Sequence, residues 1–264
     1  MIVILLSLIQ VFFSPNGGCK DAVLKEINSA KRSVQVAVYL LTDREISNAL
    51  LNAKERGVDV KVVLDGEEAD EISYSKHIYL KKHGVDVRLV YPGKSGKGIM
   101  HHKFAVIDKK TLLTGSFNWT PTADRYNHEN LLVIKKNKEL LKEFLAEFKR
   151  LYKKGVPVEI ETKVVNGNNT REVKDYVGRT VYVKGKVYNW HISRKGNLFI
   201  DFGKTRKSFT FVMWSEGVKE LKKRGFPFEK LDNGYVKVYG KIIDHPKYGL
   251  EILTDDPDAI EIVK

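Results

Sequence analysis

A chain of 264 residues can hold one large domain or two modest ones, and its 46 basic against 33 acidic side chains (net charge +13) favour a polyanionic partner. Its one cysteine, Cys19, excludes an internal disulfide framework. Two glutamines, Gln10 and Gln35, beside abundant Lys, Glu, Ile and Val form the bias of heat-adapted proteins and suggest a thermophile source. The opening Met1 to Phe13 is apolar but too short to cross a bilayer, has no basic residue before Lys20, and lacks a small-x-small cleavage site. It reads as the start of a buried strand in a cytoplasmic protein. An exported or membrane-tethered chain is the alternative.

Next come a strand at Ser33–Leu40, a helix at Asp43–Arg56 ended by Gly57, and a strand at Val58–Leu64. A helix at Ile72–His83 ended by Gly84 and a strand at Val85–Val90 follow. The apolar run Phe104–Ile107, then Thr111–Thr114 and Asn130–Lys135, read as strands, and Lys138–Lys153 reads as a helix. This alternation predicts an α/β domain over residues 1–155, layered about a mixed sheet.

Within that domain stands the pattern His-x-Lys-x4-Asp-x6-Gly-Ser-x-Asn, at His101, Lys103, Asp108, Gly115, Ser116 and Asn118. Six fixed letters at fixed spacing recur by chance roughly once in 10^7 to 10^8 starting points. The residue types suit phosphodiester chemistry, which needs fixed positive charge or donors around phosphorus, a nucleophile and a proton source. Lys103, Ser116 and Asn118 are candidate donors, and His101 a candidate for either remaining role. Two apart on a strand, His101 and Lys103 share a face.

The pattern resembles the signature of the phospholipase D superfamily, over about Val11 to Lys153. The resemblance implies a layered α-β-α sandwich with a mixed sheet and phosphodiester cleavage through a phosphohistidine. It also implies that Val11–Pro15 is the first strand with its turn, and that Glu129, eleven residues past Asn118, orients the nucleophilic ring. One imidazole cannot both attack phosphorus and protonate the leaving oxygen. No second motif is present: His245-Pro246-Lys247 has Ile252 where the aspartate should stand. The chain thus resembles the single-motif branch, in which a homodimer joins two copies of His101 across a two-fold axis. Asp108, at the strand end before Lys109-Lys110, is expected to bond local backbone or lysine, with direct chemistry less expected. His102, on the opposite strand face, is expected in the core or behind the site.

The scheme needs no metal or cofactor, and the sequence has no His-Glu-x-x-His, cysteine pair or calcium loop. Gly93-Lys94-Ser95 fails as a phosphate loop, since Arg88 stands where its first glycine belongs. Tyr91–Gly98, with Lys94 and Lys97, reads either as a rim that steers an anionic substrate or as an ordinary solvated loop.

After Gly155-Val156-Pro157 the pattern changes, which sets a second domain at residues 156–264. Thr180–Ser193, Asn197–Phe202, Ser208–Trp214, Tyr235–Ile243 and Leu250–Leu253 read as five strands, with one helix at Glu216–Arg224 between the third and fourth. This layout, with the closing Asp255–Ile260, resembles an OB-fold, a small all-β barrel often used for nucleic acids. Lys174 to Thr210 carries nine basic residues, Arg194 and Lys195 among them, against Asp175 and Asp201. By period two, Tyr182, Lys184, Lys186, Tyr188 and Trp190 share one face, a pattern that suits single-stranded nucleic acid; Trp190 and Trp214 would otherwise fill the barrel. The leading expectation is a metal-independent nuclease, probable endonuclease by type, acting on DNA or RNA. A phospholipase D-type lipid phosphodiesterase and a nucleic-acid-binding protein with a relic motif are the alternatives.

Overall fold

The computed structural model describes residues 8–91, 98–205 and 207–263. They form two compact units, Met1–Glu159 and Ile160–Lys264.

The first unit runs β1 (Leu8–Ser14), α1 (Cys19–Ser29), β2 (Ser33–Val38), α2 (Arg44–Glu55), β3 (Asp59–Asp65), α3 (Gly66–Glu71) and α4 (His77–Lys82). It continues with β4 (Asp86–Val90), β5 (Lys103–Ile107), β6 (Thr111–Gly115), α5 (Pro121–Arg125), β7 (Glu129–Lys135), α6 (Lys138–Lys154) and β8 (Val156–Pro157). The strands lie in the order β1-β7-β6-β5-β2-β3-β4-β8, parallel across β2, β3 and β4 and antiparallel elsewhere. Alternate residues feed two apolar layers. Val36, Val62, Val87 and Ala105 pack with α1 and α2 on one face, while Ala37, Val63, Phe104 and Val106 pack with Phe148 and Leu151 of α6 on the other. Strands covered on both sides are therefore Val-rich rather than alternating. This is the α-β-α sandwich with a mixed sheet that the sequence implies.

Three elements differ from the sequence reading. Helix α1 is unexpected, because its buried stripe of Cys19, Ala22, Val23 and Ile27 includes Glu26, whose carboxylate accepts from Lys135 Nζ at 2.7 Å. The helix read at Ile72–His83 is confined to α4 (His77–Lys82), and a separate short helix, α3 (Gly66–Glu71), precedes it. Asp65 caps a turn immediately after β3 by accepting from Glu68 N, and the chain then breaks so that Lys76 N–H reaches Leu41 O. Strand β1 exists but is exposed rather than buried, since it is the sheet edge and pairs with β7 alone; Leu8, Ile9, Val11 and Phe13 are all more than half exposed.

The second unit contains β9 (Val164–Asn166), α7 (Thr170–Lys174), β10 (Thr180–Lys186), β11 (Asn189–Ile192), β12 (Leu198–Asp201) and β13 (Thr210–Met213). It ends with α8 (Ser215–Lys223), β14 (Tyr235–His245), β15 (Gly249–Thr254) and β16 (Ile260–Val263). The strand order is β11-β12-β13-β15-β14-β10-β9, with β16 added on β14. Strands β10 and β11 are halves of one run, broken where Val187 N–H bonds Gly234 O and Tyr188 N–H bonds Asp201 O. The sheet therefore starts on one half of that run and returns to the other half, with β9 added beyond it, and surrounds a core that includes Val183, Ile200, Phe211, Val238 and Ile252. Five runs, with α8 between the third and fourth, stand where the sequence puts them.

No helix among the described residues is long and apolar enough to cross a membrane.

Candidate active site

The motif residues other than Asp108 lie at one end of the first sheet, where β2, β3 and β6 finish and β5 and β7 begin; Val38 lies opposite Lys103, and Gly115 opposite Leu131. His101 lies two residues before the start of β5 and is held by its neighbours. Met100 N–H donates to buried Asp65 at 2.8 Å, and Tyr39 N–H donates to His102 O at 2.7 Å. The imidazole lies against the Tyr39 ring, centroids 4.8 Å apart. Tyr39 Oη donates to Glu68 at 2.6 Å; that bond, then burial, raises its pKa to about 12 and keeps it a neutral donor.

Lys103 is 8% exposed. Its Nζ donates to His101 O at 3.0 Å and stands 5.0 Å from the Tyr39 ring centroid, so backbone and ring together fix the ammonium beside the imidazole. Burial lowers the Lys103 pKa to about 8, while the Glu129 carboxylate pulls it back upward. Burial, followed by the positive charge of Lys103, lowers the pKa of His101 below the ordinary histidine value.

The second half of the motif is built on a close backbone approach. A Cβ on Gly115 would lie 2.2 Å from Asn130 O, so glycine is required where β6 passes β7. Ser116 N–H then donates to Asn130 O, and Ser116 Oγ accepts from Asn130 N–H at 3.1 Å. The serine hydroxyl proton goes to Glu129. Ser116 is therefore no free donor for a phosphate, as its residue type suggests, but the group that holds Glu129. Asn118 is carried by a loop tied to the end of β2 through Trp119, whose N–H reaches Leu40 O and whose carbonyl accepts from Thr42 and Asp43. Its Oδ1 is buried and has no hydrogen-bond partner.

The other predicted residues divide. Glu129 bonds Ser116 and Asn127, and among the described residues it makes no hydrogen bond to the His101 of its own chain. Asp108 sits at the far end of β5. Its carboxylate accepts backbone N–H groups of Lys31, Arg32 and Ser33 at 2.7–2.9 Å, a structural use remote from the reacting end, but with backbone far away in sequence rather than the local backbone or lysine expected. His102 is exposed, not core, and bonds Glu147 of α6 at 3.0 Å. The fragment at His245 is a turn, in which its Nδ1 accepts from Lys247 and Tyr248 N–H. Lys94 and Lys97 lie outside the described residues. Sequence reasoning missed Tyr39, Asp65 and Glu68; the available signal was their place at the carboxyl ends of parallel strands, where α/β sheets hold their sites.

In the second unit Lys184, Lys186 and Tyr188 are exposed, as are Arg194 and Lys195 in the turn after β11. Tyr182 is half-buried on Tyr239, centroids 4.4 Å apart, with Lys237 over its ring. Trp190 leaves the predicted face. The break after Val187 shifts the alternation by one, so Trp190 turns inward, stacks on Phe228 and donates to Asp232 at 2.8 Å, and His191 takes the outer position.

Residues 23–152 match the family described as "Cardiolipin synthase, PLD-like domain". Phospholipase D of Rickettsia conorii is 35% identical over 142 residues, 54% of this chain and 68% of the relative. The chain belongs to the phospholipase D superfamily. This superfamily member is also 35% identical to the mitochondrial cardiolipin hydrolase of Danio rerio over 145 residues, 55% of this chain and 62% of the relative. The phospholipase D family member Nuc from Salmonella typhimurium superposes with a TM-score of 0.54 at 34% identity, covering 59% of this chain and all of that one. An imidazole before β5, a confined ammonium at its start and a carboxamide in the loop after β6 are groups that suit a phospholipase D superfamily phosphodiesterase. The family match ends at residue 152, inside α6 and before the second unit begins.

Proposed function

We propose that this phosphodiesterase is a metal-independent nuclease that cleaves DNA or RNA through a phosphohistidine on His101, in a site shared by two copies of the chain. His101 carries the reading. Among the described residues its ring makes a packing contact with Tyr39 and no hydrogen bond, whereas in-line displacement at phosphorus needs a nucleophile and a separate proton donor. A two-fold dimer supplies both from one residue. His101 attacks phosphorus as the bond to the leaving oxygen breaks, and the partner's His101, protonated, gives that oxygen its proton. Water then attacks the phosphohistidine and passes a proton back to the partner's His101. The P–N bond breaks, and a phosphomonoester leaves. Lys103 and Asn118 hold the non-bridging oxygens, while Glu129, fixed by Ser116, keeps Lys103 charged and orients an imidazole of the shared site.

Nucleic acid is favoured as substrate by the net charge of +13 and by exposed Lys184, Lys186 and Tyr188 on a barrel of OB-like layout, which suit a single strand. The names of the phospholipase D and cardiolipin hydrolase relatives favour lipid hydrolysis as the second reading.

The test is cleavage of single- and double-stranded DNA, RNA and cardiolipin in excess chelator, with His101→Ala alongside. Strand cleavage that survives chelation and is lost in the variant is expected. Lipid hydrolysis alone would replace the nuclease reading with the second one, and binding without cleavage would point to a relic motif.

A further inference from the structure

We infer that the cleft beside His101 is a second phosphate subsite, which holds the phosphate next to the scissile one; this rests on the nuclease reading above. The cleft, about 200 Å³, lies between the end of β4, the residues leading into β5 and the last turns of α6. Its lining includes the buried apolar residues Val90, Met100 and Leu151 and the polar residues His101, His102, Arg150 and Lys154. Because His101 borders both the reacting centre and this cleft, a chain bonded to the scissile phosphorus on that side enters it. The volume is below the roughly 300–1,000 Å³ of drug-sized sites and suits a sugar with its phosphate.

Charge decides what the cleft takes. Glu147 already engages Arg150 at 2.7 Å and His102 at 3.0 Å. Lys154, one helical turn beyond Arg150, has no ion pair among the described residues and is exposed, which leaves a positive charge to be met by the ligand. The other flank of His101 has the opposite sign: α3 carries Glu67, Glu68, Asp70 and Glu71, and Glu68 holds the tyrosine on which the imidazole rests. A polyanion is repelled there and led toward α6. In DNA and RNA the next phosphate follows the first across three carbons. The central glycerol of cardiolipin has the same spacing, so the recognised chemistry is a second phosphodiester at that distance.

The experiment compares kcat/KM for a single-stranded oligonucleotide, cardiolipin vesicles and bis(p-nitrophenyl) phosphate, which has one phosphate, in wild type, Lys154→Ala and Lys154→Arg. The ratio of oligonucleotide to small diester should fall about 5- to 10-fold in Lys154→Ala, with a salt slope smaller by about one, and recover in Lys154→Arg. An unchanged ratio, or an equal loss on both substrates, overturns the subsite. Wild-type action on cardiolipin but not on the oligonucleotide would sink the nuclease reading instead. The subsite would then survive only if the cardiolipin to small-diester ratio fell in Lys154→Ala.

Discussion

The Tyr39 ring stands 4.8 Å from the imidazole of His101, and the same ring carries the Lys103 ammonium at 5.0 Å. One aromatic side chain from the end of β2 thus spaces the nucleophile candidate from its neighbouring cation, and Glu68 fixes that ring through its hydroxyl. Tyr39→Ala should lower kcat about 10-fold, the scale of one lost aromatic contact at a positioned group. Tyr39→Phe keeps the ring and should stay within about 2-fold of wild type, with a small drop in Tm from the lost bond to Glu68. Steady-state kinetics on the pair separates ring packing from hydroxyl chemistry.

The pH profile follows from buried Lys103 and from His101 beside it. The partner's His101 must keep its proton, so the first alkaline fall in kcat/KM belongs to the coupled imidazole pair, and Lys103, with a pKa near 8, adds a second alkaline limb centred near that value. His101 must be neutral to attack, and its lowered pKa places the acid limb below 6.5. Stability moves the other way. The unfolded chain holds the Lys103 proton up to about 10.5 and the folded chain only to about 8, so folding stability rises with pH across that window. Lys103→Met should abolish turnover yet raise Tm at pH 7, by up to about 3 kcal/mol of stability. Calorimetry against pH checks the sign.

Glu129 pulls the Lys103 pKa upward through charge alone. Glu129→Gln removes that pull, so the Lys103 limb should move to lower pH while Ser116 keeps an acceptor for its hydroxyl. A limb that stays in place would show that Glu129 does not set the charge of Lys103.

Asp108 predicts a structural phenotype from a motif residue. Burial alone would raise its pKa, but bonds from Ser33, Lys31 and Arg32 N–H outweigh burial and hold it below the usual carboxylate value. Its contribution is therefore present above pH 3.8 and lost as pH falls through the lowered value. Asp108→Ala should cost about 2–4 kcal/mol, since it orphans three donors and places alanine at a φ of 53°, while kcat per folded molecule stays near wild type. Asp108→Asn, which tolerates that backbone region, should cost less. Urea titration beside active-site titration distinguishes the two losses.

The motif itself, most of the first unit's strands and the five strand runs of the second unit were legible because each obeys a local period or a fixed spacing. What failed to show involved partners far away in sequence. Helix α1 was hidden by Glu26, whose charge breaks the apolar stripe and is answered by Lys135 on β7. The inward turn of Trp190 depends on a one-residue break at Val187, and the occupied hydroxyl of Ser116 depends on a carboxylate thirteen residues on. Tyr39 belongs to no motif, and β2 brings it to His101 only once the sheet is assembled.

The shared site is tested most directly by subunit mixing. Wild-type chains are exchanged with a ninefold excess of His101→Ala chains, and activity per wild-type subunit is measured. If both imidazoles are needed, only wild-type pairs turn over, and that activity should fall to about one tenth. Activity per wild-type subunit that stays constant at every mixing ratio would mean that one chain suffices, and would contradict the shared site.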